Sequence, residues 1–162
     1  MPVAMSKHRK GCPMDRITRN AEERLTEDVE GIRKTKSATR CIHFRFSSLG
    51  DDDAMRVDDA IDAIERQLDD PEARLYICDD GDVFAVVRMM NGRIFNALVA
   101  SLTPVLPLPV LERGLAVLFD LTVEYRVVLA ICEQKIETRK IAEARLRAEE
   151  KAAKERDRRA AL

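Results

Sequence analysis

The chain reads as an α/β protein, an α+β sandwich with a long C-terminal helix. Short runs with the two-residue period of strands occur at Thr39–Leu49, Arg74–Cys78 and Val83–Arg88. Between and after them, Val57, Ile61, Ile64, Leu68 and then Ile94, Phe95, Leu98, Val99, Leu102 recur at helical spacing. The last third of the chain carries a long apolar stripe that fades into alanine and charge. The order is strand, helix, hairpin, helix, then a helical extension.

Each element has a local cause. Residues 1–13 (MPVAMSKHRKGCP) show no period and read as a flexible leader. From Met14 to Arg33 the apolar stripe Ile17, Ala21, Leu25, Val29, Ile32 predicts one helix, and the polar linker through residue 38 ends it. In the first strand, Ile42, Phe44 and Phe46 alternate with Cys41, His43 and Arg45, which places the two sets on opposite faces. Asp51–Asp53 supply favourable charge and capping groups for a helix over 54–68, and Asp70-Pro71 stops it. Asp79-Asp80-Gly81-Asp82 between two apolar runs is a strong hairpin signal. Asn91 caps the helix that follows.

These elements define a core domain over 39–106, with a helix and linker over 14–38 before it. After the TPVLPLP connector, residues 107–162 read as one long charged helix. Leu111, Gly114, Leu118, Leu121, Tyr125, Val128 and Cys132 alternate steps of three and four along it, as a coiled-coil seam does. The β-branched run Thr122–Ile131 leaves a competing reading as a strand.

Charge is unevenly distributed. Residues 41–132 hold eight Lys/Arg against sixteen Asp/Glu, while 1–40 hold ten against six and 133–162 ten against seven. An acidic body with 4% aromatic residues is a poor nucleic-acid surface, and Phe44, Phe46, Tyr76 and Phe84 fall largely in core-facing register. The uncharged stretch Ile94–Leu111 approaches the length of a membrane span, but Pro104, Pro107 and Pro109 break it. Nucleic acid and membrane are therefore not expected partners. Four cysteines at 12, 41, 78 and 132 form no CxxC pair, and no signal-peptide core opens the chain, so a reducing cytoplasm is expected.

Motifs for chemistry are scarce. There is no GxxxxGK[ST], no GxGxxG and no Gly-x-Ser-x-Gly elbow. DDDAMRVDDAID lacks the central glycine and terminal glutamate of a calcium loop. Cys41, His43 and Cys78 could share one sheet face, yet structural zinc takes four ligands and close-paired cysteines. No metal and no cofactor is expected.

One stretch stands apart. Asp80-Gly81-Asp82-Val83-Phe84, followed by Ala85-Val86-Val87, resembles the Gly-Gly-Asp/Glu-Glu-Phe hairpin of diguanylate cyclase (GGDEF) domains, with the resemblance covering about residues 39–102. It implies a ferredoxin- or GGDEF-like β-α-β-β-α core. The departures imply that such a core is catalytically degenerate. Asp80 stands where the family's first glycine admits the nucleotide, and Val83 replaces the metal-binding glutamate. The first strand carries no aspartate. The nearest Arg-x-x-Asp, Arg66 to Asp69, lies too far upstream to be the product-binding motif. Without several carboxylates to hold cations, phosphoryl chemistry has no support. The expectation is a non-enzymatic cytoplasmic signalling or scaffold module. A protein partner, or self-association, would act through the helix that carries Leu111, Leu118, Leu121, Tyr125 and Val128. The alternative is a domain that binds a guanine nucleotide or cyclic di-GMP without turnover.

Overall fold

The computed structural model describes residues 14–162, so the leader expected over 1–13 lies outside the described residues. In chain order the strands are β1 (Asp15–Ile17), β2 (Thr39–Phe44), β3 (Arg74–Ile77), β4 (Val83–Arg88) and β5 (Ala116–Asp120). The helices are α1 (Ala21–Thr35), the single turn α2 (Asp51–Ala54), α3 (Val57–Leu68), α4 (Gly92–Ala100), α5 (Leu108–Glu112) and α6 (Tyr125–Ala160). The five strands form one mixed sheet in the order β1-β3-β4-β2-β5. β1 runs parallel to β3, and every other pairing is antiparallel. From β2 to β5 the chain is two interleaved split β-α-β units, the ferredoxin-like arrangement.

Strand alternation sorts the core into two halves. Ile42, Phe44, Leu75, Val83, Ala85 and Val87 point to one face, where Ile61 and Ile64 of α3 and Leu98 of α4 cover them. Cys41, Tyr76, Phe84, Val86 and Phe119 point to the other, under Leu25 and Val29 of α1 and Val128 and Cys132 of α6. The alternation of β2 matches the one read from the sequence, and with both faces covered the strands are apolar on both sides. α1 and α6 lie antiparallel: Arg139 reaches Glu22 at one end, and the Arg33 guanidinium sits 4.9 Å over the Tyr125 ring at the other.

Several boundaries differ from the sequence reading. Residues 14–33 are not one helix, because Asp15–Ile17 pairs with β3 and Asn20 turns left-handed (φ 51°) before α1 begins. The strand expected through Leu49 ends at Phe44, since Phe46–Ser48 winds into a 3₁₀ turn. The larger correction concerns the long helix. It starts at Tyr125, so Leu111 lies in α5, Leu118 in β5, and Leu121 in the turn between β5 and α6. Gly114, at φ 77°, closes α5 in a conformation that suits glycine, and Ala116–Asp120 then adds to the open edge of β2. The sheet therefore extends past residue 106. The competing strand over 122–131 also fails. The Asp120 carboxylate accepts the Thr122 amide and hydroxyl, the Glu124 carboxylate accepts the Asp120 amide, and this turn launches a helix through the β-branched run.

Candidate functional site

The acidic hairpin is built from its turn outward. The Gly81 amide donates to Cys78 O at 3.0 Å, and the Cys78 amide donates to Asp82 O at 2.9 Å. Gly81 sits at φ 94°, which completes the turn at little steric cost. Asp80 Oδ1 accepts the Asp82 amide at 3.0 Å, an Asx turn that fixes the loop from within.

Asp82, next to Gly81, does not face solvent. Its side chain is 3% exposed and fully engaged. Oδ2 accepts from His43 Nε2 at 2.7 Å and from Lys135 Nζ at 2.7 Å, and Oδ1 accepts the Ser47 amide at 2.7 Å. The His43 ring stacks on its cross-strand neighbour Phe84, with centroids 4.2 Å apart and planes 4° from parallel. The 3₁₀ turn that cuts β2 short is what aims the Ser47 amide at this carboxylate. Burial alone would raise the Asp82 carboxyl. The bonds from His43, Lys135 and Ser47 outweigh it and hold the group well below the usual carboxylate range.

The remaining acid of the turn is also claimed. Lys135 Nζ bonds Asp80 as well as Asp82. Four residues on, Arg139 Nη1 lies 3.3 Å from Asp79 and 3.2 Å from Glu22, and Nη2 bonds Glu23. Glu22, itself 3% exposed, accepts the Asp79 amide at 3.1 Å. With Glu143, 3.9 Å from Arg139 Nε, six carboxylates thus surround Lys135, Arg139 and His43, and the excess of acid has two marks. Burial and the charges of Glu22, Glu143 and Asp80 push the Asp79 carboxyl up, and Glu23 Oε2 is buried with no hydrogen-bond partner among the described residues. Lys135 loses basicity to burial, but Asp80 and Asp82 more than restore it and raise its pKa.

Of the hairpin positions singled out in sequence, Val83 and Phe84 pack on opposite faces of the sheet, Asp80 and Gly81 make the turn, and Asp82 anchors α6. The ammonium of Lys135 sits between two carboxylates, where a site for a divalent ion would place its metal. Cys41, His43 and Cys78 face the α1/α6 side of the sheet, yet no group of His, Cys, Asp or Glu among the described residues is arranged to hold a metal ion. Burial pushes the thiols of Cys41 and Cys78 up and that of Cys132 to about 11, so these are packed, protonated side chains.

Sequence reasoning did not identify Glu22, Lys135 and Arg139. A signal was present: Val128, Cys132, Lys135 and Arg139 continue one stripe in steps of four, three and four. Its apolar half packs on the sheet and its charged half lands on the hairpin. The seam residues Leu111, Leu121 and Val128 are buried in the chain's own core, at 7%, 0% and 0% exposure, and Leu118 faces the α3/α4 core from β5. They do not form a free interaction face. No described helix is long and apolar enough to cross a membrane, and Ile94–Leu111 divides into α4, a turn and α5. Comparison with protein-family models, curated proteins and solved structures finds no match to this chain.

Proposed function

We propose that the chain is a non-enzymatic interaction module whose folded body grips the base of α6 and presents the rest of that helix to a protein partner. One observation carries this reading. α6 touches the body as far as Arg139, and every residue from 140 onward is exposed. Residues 140–160 form an arm about 30 Å long at a rise of ~1.5 Å per residue. The arm is rich in alanine, and Glu143–Arg147 and Glu155–Arg159 span its turns at 3.7 and 3.4 Å, a pattern that favours helix without a packing partner. Residues 140–162 hold eight Lys/Arg against five Asp/Glu, with Ile141 and Leu146 exposed among them. A stiff, net-positive rod with two apolar points suits a scaffold or signalling role better than catalysis.

The engagement of Asp79, Asp80 and Asp82 by Lys135 and Arg139 supports the non-enzymatic part, because none of these carboxylates is free to bind a cation. On this reading the hairpin that resembles the GGDEF segment serves structure. The test is affinity capture by full-length protein and by an Ile141→Glu/Leu146→Glu variant, compared by mass spectrometry. A protein held by the first and lost by the second supports the reading, and identical captured sets overturn it. Light scattering of both forms identifies a second copy as the partner if only the first shows a doubled mass. Saturable heat on titration with GTP or cyclic di-GMP would favour a nucleotide-binding domain instead.

A further inference from the structure

The two edges of the sheet are built differently. β1, at one edge, has three residues, two of them charged, and Arg16 is held there by Asp62 and Glu65 of α3. A short, charged strand is a poor template for further pairing. β5, at the other edge, reads Ala-Val-Leu-Phe before its first charge at Asp120, with no proline or lysine.

The β5 edge is open at two residues. The Leu121 amide donates to Thr39 O and the Arg45 amide to Leu115 O, which fixes the parity of the β2–β5 ladder. Residues 115, 117, 119 and 121 thus bond β2, and the amides and carbonyls of Ala116, Leu118 and Asp120 point outward. Asp120 is closed off, because its amide bonds the Glu124 carboxylate and its carbonyl accepts the Val123 and Glu124 amides. The outward groups of Ala116 and Leu118 have no partner among the described residues. Apolar surface borders them. On the α3/α4 face a groove of about 360 Å³ runs between α4 and α5, lined by Phe95, Val99, Leu108 and Ala116. Leu108 is 56% exposed, and Val123, just past the strand, 75%.

The register selects the occupant. An antiparallel copy of β5 centred on Val117 sets Ala116 opposite Leu118 of the second copy, and Leu118 opposite its Ala116. Both become hydrogen-bonded pairs, so every open amide and carbonyl is satisfied and Asp120 is not needed. A two-fold axis at Val117 achieves this with the same patch on both copies. It also brings the two α4–α5 grooves onto one face, side by side. Arg113, exposed and without an ion-pair partner among the described residues, comes to the acidic Asp120–Glu124 end of the other strand.

We infer that β5 pairs antiparallel with β5 of a second copy of this chain, giving one sheet continuous through a two-fold axis at Val117. The inference does not rest on the helix arm. Light scattering of the full-length protein at about 100 μM should give a doubled mass. Truncation after Lys140 should keep it, whereas loss there would assign the dimer to the arm and overturn the inference. Ala116→Pro removes an outward amide without touching a bond to β2. It should return the single-chain mass with an unchanged circular dichroism spectrum. Val117→Lys and Val117→Glu should each be monomeric, since like charges face each other across the axis, and an equimolar mixture should recover the doubled mass. A monomeric parent leaves the edge to a strand of another protein and overturns the inference. So does a dimer indifferent to Ala116→Pro, or a mixture no heavier than its components.

Discussion

Lys135 Nζ lies 2.7 Å from Asp82 Oδ2, which joins the N-terminal third of α6 to a residue 53 positions earlier, just after the hairpin turn. Both side chains are largely buried, at 14% and 3% exposure, so the pair is not a surface salt bridge of negligible worth. Breaking it from one side leaves a charge that has lost its main counter-ion. Lys135→Met is expected to lower unfolding free energy by about 3 kcal/mol in urea denaturation. The double variant Lys135→Met/Asp82→Asn should recover a large part of that loss. A single-variant effect under about 0.5 kcal/mol would place the pair with exposed ones and falsify the clamp.

The same contacts set a pH window. The native Asp82 carboxyl is held below its unfolded value of about 3.9. Its contribution is therefore complete above about pH 4 and is lost as pH falls through the lower native value. Lys135 is raised above its unfolded value of about 10.4, so its contribution is complete below that pH and is lost as pH climbs through the native value. Urea midpoints should form a plateau between about pH 5 and pH 10 and decline on both sides. Asp82→Asn should make the acid decline shallower, and an unchanged slope would remove Asp82 as its cause.

Asp79 behaves in the opposite sense. Its raised carboxyl means that the charged form is disfavoured among Glu22, Glu143 and Asp80 despite Arg139 at 3.3 Å. Asp79→Asn should accordingly leave the urea midpoint unchanged or raise it slightly, whereas Asp82→Asn lowers it. Equal losses from the two substitutions would show that the turn's acid acts as one undifferentiated charge.

The arm should be thermodynamically separate from the body. Truncation after Lys140 removes a stretch that is exposed throughout. Circular dichroism should show less helix per molecule while the midpoint of cooperative unfolding stays in place. A drop in that midpoint would mean that residues 141–162 contribute to the folded body.

The three inner strands were legible because they alternate: Ile42 and Phe44 against Cys41 and His43, and Val83, Ala85 and Val87 against Phe84 and Val86, whereas β1 and β5 were hidden inside stretches with helical spacing. The Asp-Gly hairpin and the Asn91 cap are likewise written in a few adjacent residues, and Asn91 Oδ1 accepts the Ile94 amide at 2.8 Å as such a cap does. The C-terminal half misled for a physical reason. Steps of three and four from Leu111 to Cys132 match a helix, yet they also arise by chance across α5, Gly114, β5 and a turn, because periodicity carries no information about chain reversal.

The sequence by itself determined β2, β3, β4, the hairpin between the last two, and the acidity of its turn, since these depend on neighbours within a few residues. Only the tertiary structure decided what the acid at Asp79, Asp80 and Asp82 is for. Its partners, Glu22, His43, Lys135 and Arg139, come from α1, β2 and α6, and the packing of both helices on one face of the sheet brings them together. Burial then gives those charges their strength, because a carboxylate removed from water interacts far more strongly with an ammonium than an exposed one does.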